Sequence, residues 1–151
     1  MTEVWFYQLQ RRRLEQVLPS LVERVLQRGW RAVIHAATPE RLATLDDLLW
    51  TYAEDSFLPH GGGKDGDPDM QPVWLTLGDD NANGAQTRFL LEGVEATHFV
   101  DHSYQRLIVL FDGRDEDFLT AARVQWKKLR QINATLAYWA ETDEGGWQKQ
   151  A

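Results

Sequence analysis

Residues 1–36 constrain the fold most, because two strand-like hydrophobic runs flank a helical one. Val4–Leu9 (VWFYQL) is short, apolar and aromatic, which suits a buried strand. From Leu14 the apolar positions Leu14, Val17, Leu18, Leu21, Val22, Val25 and Leu26 recur at helical spacing. Pro19 falls inside this pattern, so the helix either starts near it or bends there, and Gly29 supplies a stop. Arg31–Ala36 (RAVIHA) is a second buried strand. Strand, helix and strand in that order predict a parallel pair and an α/β fold.

The remaining chain extends the same pattern. Thr38-Pro39-Glu40 opens a second helix with a capping hydroxyl, a proline that misses no N–H bond, and an acid in the first turn. Leu42, Leu45, Leu48 and Leu49 form its core stripe, and Trp50 points away from that stripe. Trp50 then either packs beneath a loop or anchors a partner, since exposed large aromatics are typical hot spots. Ser56–His60 leaves the helix extended, and Gly61–Asp69 is a flexible loop. Pro72–Leu77 is a third strand, Gly78–Gly84 a turn cluster, and Arg88–Leu91 a short strand or edge segment. Phe99-Val100 and Leu107–Phe111 complete the sheet, followed by an Asp112-Gly113 turn. Asn133–Trp139 is a last strand-like run. Glu141–Ala151 is a polar tail, with 142–151 flexible, within a single domain spanning 1–151.

The last helix, about Asp115 to Ile132, carries the second informative pattern. Phe118, Ala121, Ala122, Leu129 and Ile132 share a face with Gln125. Opposite them stand Arg123, Trp126, Lys127 and Arg130, with Leu119 one turn earlier. Three cations around a tryptophan and a leucine suit an acidic peptide carrying an apolar residue. The same pattern also describes a solvated face with snorkelling stems.

Several functions are excluded or disfavoured. With no cysteine, the chain has no disulfide, thiolate zinc site or cysteine nucleophile. No run approaches the roughly 18 apolar residues that span a bilayer, and the N-terminus lacks a signal-peptide charge order, which predicts a cytoplasmic protein. A net charge of −7 opposes a broad electrostatic grip on nucleic acid. Gly61-Gly62-Gly63-Lys64 suggests a phosphate loop, and with it a small nucleotide-binding enzyme as the alternative function. It lacks the GxxxxGK[ST] spacing, however, and Asp65 follows the lysine. No glycine stands where a dinucleotide fold carries GxGxxG. His98 and His102 have metal-ligand spacing only on a helix, whereas they are expected at a strand end. Ser56 and Ser103 lack a nucleophile-elbow context, and Asp46-Asp47 and Asp79-Asp80 are solvated acids. No catalytic residue, metal or cofactor is expected.

Taken in order, FYQL, GWRAVI, TPERLATLDDLLW, SFLPHG, PVWL and ARVQWKKLRQINATLAYW resemble the chi subunit of bacterial DNA polymerase III, a clamp-loader accessory family, over most of the chain. The resemblance implies a three-layer α/β fold of Rossmann-like, nucleotide-binding type, with a mostly parallel sheet, helices on both faces and no phosphate-binding motif. It also implies a non-catalytic replication subunit with two binding faces. One takes the acidic C-terminal tail of single-stranded DNA-binding protein through Arg123, Trp126, Lys127 and Arg130, where Trp126 stands in place of a tyrosine found in relatives. The other takes the psi subunit or a helicase through Trp50 and Phe57. DNA is then contacted only through these partners.

Overall fold

The computed structural model describes residues 2–51, 61–62 and 71–151, without the side chains of Trp50 and Thr51. Its strands are β1 (Glu3–Leu9), β2 (Ala32–His35), β3 (Gly61–Gly62), β4 (Val73–Thr76), β5 (Thr87–Leu91), β6 (Arg106–Asp112), β7 (Thr135–Glu141) and β8 (Trp147–Lys149). Its α-helices are α1 (Leu14–Gln27), α2 (Pro39–Thr51) and α3 (Glu116–Gln131). The strands form one sheet in the order β3-β4-β2-β5-β6-β1-β7-β8. All described pairings are parallel except β7 with β8. No helix of the described residues is long and apolar enough to cross a membrane.

Period-2 alternation sorts the strand side chains between two cores. Tyr7 and Leu9 of β1, and Ile108 and Leu110 of β6, face α1 and α2. Their helical partners include Val17, Leu18, Leu21, Val22, Leu45 and Leu49. Val4 and Phe6 of β1, and Leu107, Val109 and Phe111 of β6, face α3 through Ala122 and Leu129. This is the expected three-layer α/β arrangement. Helix α1 runs through Pro19, a buried residue in its interior, and ends before Gly29 at φ +84. The hydroxyl of Thr38 accepts the Arg41 N–H at 3.1 Å and caps α2 as expected. Asp115 caps α3, its carboxylate accepting from the N–H groups of Asp117 and Phe118.

Five expectations are corrected. β1 and β2 do not form the expected parallel pair: β5 and β6 lie between them, although all four strands run parallel in the one sheet. Gly61 and Gly62 pair with Trp74 and Leu75 as an edge strand, not loop. A Cβ at Gly61 would lie 2.8 Å from Gln71 Cγ, so glycine permits this close approach. Of the two readings of Arg88–Leu91, the short strand holds and the edge does not: it belongs to β5, which lies between β2 and β6 with every residue buried. Phe99 ends a 3₁₀ turn, Thr97–Phe99, in place of a strand. Its ring lies 4.1 Å from the Arg88 guanidinium and packs edge-on to His35, so it covers the sheet from above. The expected polar tail begins with Glu141, which is 3% exposed, and continues into β8.

Glu141 has a specific anchor. Its carboxylate accepts the backbone N–H groups of Gln10, Arg11 and Arg12 at 3.0, 2.8 and 3.1 Å, and pairs with the Arg12 guanidinium. The β7–β8 hairpin is thereby fastened to the loop that leaves β1.

Candidate functional site

Three depressions meet around one side chain of α3. The first, of about 420 Å³, is lined by Gln8, Gln10, Arg123, Trp126, Tyr138, Ala140, Gln150 and Ala151. A second is bounded by Trp126, Lys127, Arg130 and Gln131, and a third by Trp126, Arg130, Asn133, Ala134, Leu136 and Ala151. Trp126 is the wall common to all three. The structure therefore brings Arg123, Trp126, Lys127 and Arg130 together, as the sequence predicts.

The tryptophan is not the freely exposed side chain that the wheel suggested. It is half-buried and meets Phe6 and Tyr138 edge-on, with centroids 5.4 and 5.5 Å apart. Phe6 and Tyr138 stack at 5.7 Å. The reason lies in the helix itself: Trp126 follows Ala122 by four residues and precedes Leu129 by three, which sets it on the flank of the buried stripe. Leu119 likewise is half-buried against the same core rather than opposite it. Ile132, expected on the core face, is 56% exposed because it caps the helix at φ −99, ψ 14, where the helical phase no longer applies. Gln125 is buried among the apolar residues because its side-chain oxygen accepts the Ala96 N–H at 2.8 Å.

Arg123, Lys127 and Arg130 are exposed, and among the described residues none makes an ion pair. Their neighbour Lys128 is paired with Glu95 at 3.2 Å. The three cations are thus free to meet an incoming anion, beside an aromatic wall that can receive an apolar side chain.

Several groove residues escaped the sequence argument. Gln8 follows Val4 and Phe6 at strand spacing, so period 2 in VWFYQL already placed it on the α3 side. Tyr138 donates its hydroxyl to Gln8 Oε1, and a Cβ at Gly113 would lie 2.5 Å from Gln8 Cγ. Burial pushes the Tyr138 pKa up, with nearby Arg123 partly opposing it, so the phenol stays a neutral donor at ordinary pH. Gln10 continues the period-2 alternation one step past β1, whereas Gln150 gave no signal, since it reaches the groove only through the β7–β8 hairpin.

Other expectations stand apart from this cluster. Trp50 lies in α2, but its side chain is outside the description, and Phe57 and Lys64 are outside the described residues. His98 and His102 sit on and just after the 3₁₀ turn, not a strand end, and their rings approach to 5.4 Å. His98 bonds Asp79 at 2.9 Å, yet no three metal-binding side chains converge among the described residues.

Fold and site together define an α/β protein of nucleotide-binding-like architecture whose prominent surface suits an anionic, partly apolar ligand. A model of the DNA polymerase III chi subunit family (HolC) matches residues 1–137, and the chain belongs to that family. It is similar to the probable DNA polymerase III subunit chi of Rickettsia prowazekii (strain Madrid E), with 25% identity over 97 residues. That match covers 61% of this chain and 59% of the relative's length.

Proposed function

We propose that this chi-family chain is a non-catalytic adaptor in the cytoplasm that binds the acidic C-terminal tail of single-stranded DNA-binding protein and links it to the clamp loader. The observation that carries this is the trio of unpaired cations, Arg123, Lys127 and Arg130, set around the half-buried Trp126. Carboxylates of the tail pair with the cations, and an apolar side chain enters against Trp126, with Leu119 one turn away. DNA is reached only through that protein. A second face, through Trp50 and Phe57, takes a psi subunit or a helicase.

The test is a fluorescence titration of a labelled acidic peptide ending in proline–phenylalanine, at low and moderate salt. Binding on the micromolar scale that weakens with salt is expected, since much of the attraction is charge pairing. A flat trace at both salts sinks the proposal and redirects the search for a partner to Trp50.

A further inference from the structure

The groove beside Trp126 has a wall that comes from the end of the chain. Tyr138, Ala140, Gln150 and Ala151 supply half of its lining residues, and all four lie beyond the stretch matched by the family model. Strand β7 pairs antiparallel with β8, Trp139 opposite Lys149. The ladder continues beyond β8, with the Gln150 N–H donating to Tyr138 O at 2.7 Å and the Tyr138 N–H to Ala151 O at 3.1 Å. Gln150 is therefore the cross-strand neighbour of Tyr138, and both side chains stand on the α3 side. Lys149 alternates to the other side of the sheet.

We propose that Gln150, seated across from Tyr138, is a specificity-determining residue of the tail-binding groove, so that the β7–β8 hairpin takes part directly in peptide recognition. The inference rests on the tail-binding function proposed above. An exposed amide at the rim of the groove that Arg123 also lines adds no charge of its own, and it offers an acidic peptide both a donor and an acceptor. The hairpin is held in place for this role because Glu141 is anchored to the N–H groups of residues 10–12. Gln10 belongs to both structures: it lines the groove, and its side chain donates to Glu141 O at 2.9 Å.

The experiment compares the full chain with Gln150→Glu and Lys149→Glu, by anisotropy of the same labelled proline–phenylalanine peptide. Gln150→Glu sets a carboxylate beside Arg123 and is expected to raise Kd about tenfold. Lys149→Glu changes the net charge more, but on the far side of the sheet, and is expected to keep Kd within about twofold. Thermal midpoints equal to that of the parent identify any weakening as a groove effect. Undiminished binding by Gln150→Glu overturns the inference while leaving the tail-binding function in place. Equal weakening by both variants also overturns it, since overall charge then explains the loss. No binding by the parent chain removes the tail-binding function and this inference together.

Discussion

Arg88 shows what a buried cation does when no carboxylate meets it. The residue is 0% exposed, and its guanidinium donates to the Gly78 carbonyl, to Asp80 O at 2.9 Å, to the Tyr104 hydroxyl at 3.0 Å and to His35 Nδ1 at 2.7 Å. The His35 ring then offers its other nitrogen as a donor to Leu77 O, 3.2 Å away. Arg88→Ala strands all these acceptors, so an unfolding cost of about 3 kcal/mol or more is expected in urea titrations. Arg88→Lys recovers only part of it, because an ammonium cannot reproduce the fork. The same neighbourhood predicts acid sensitivity. Burial and Arg88 hold the His35 pKa below its ordinary 6.5, so the unfolded chain takes up a proton first and stability declines as pH falls through that value. Glu141 adds a second step. Its pKa is held at about 2 by Arg12 and the three N–H groups despite burial, against an ordinary 4.5. Its contribution, at most about 3 kcal/mol, is present above pH 4.5 and is lost as pH falls towards 2. Unfolding midpoints measured from pH 7 to pH 2 should show both steps, and Glu141→Gln should shrink the lower one, to which Asp112, held down by Arg114, also contributes.

At the scale of the element, α3 separates two kinds of contribution. Lys127→Glu alters only an exposed, unpaired charge, so it should weaken tail binding about tenfold and flatten the salt dependence while the unfolding curve stays put. Trp126→Ala is a compound change: it removes ring contacts to Phe6 and Tyr138 as well as the wall of the groove. It should therefore lower stability by about 2 kcal/mol along with affinity, a loss visible in urea. This split explains how much of the site was legible. Helical spacing alone gathered Arg123, Lys127 and Arg130, because cations three and four residues apart must share a side. It misplaced Trp126 and Leu119, because a wheel records angle but not how far the sheet reaches around the flank of the helix. The polar wall was illegible for a different reason. Gln150 and Tyr138 meet through a hairpin whose closing contact, Glu141 with residues 10–12, joins positions more than a hundred residues apart.

For the molecule as a whole, the alternation of strand and helix in residues 1–36 was enough to indicate a parallel α/β sheet, but not its pairing, since later strands β5 and β6 insert between β1 and β2. Sheet order was less accessible. Arg88–Leu91 reads as a short strand or an edge segment, and it is the strand between β2 and β6, its arginine absorbed by loop carbonyls. A net charge of −7 on the entire chain bears on partners: unlabelled single-stranded DNA should fail to displace the tail peptide in competition titrations. Nucleotides should fare no better, with ATP, GTP and NAD leaving the thermal midpoint unmoved. The anchor of Glu141 gives the physical reason. In this architecture the turn after the first strand is where backbone N–H groups gather around a ligand's phosphates. Here the N–H groups of Gln10, Arg11 and Arg12 already hold a carboxylate of the same chain. Glu141 acts as a tethered ligand: a phosphate must compete with a group whose effective concentration is on the order of millimolar or higher, and must approach against its charge. The turn that would make such a fold a nucleotide receptor serves instead as an internal clasp.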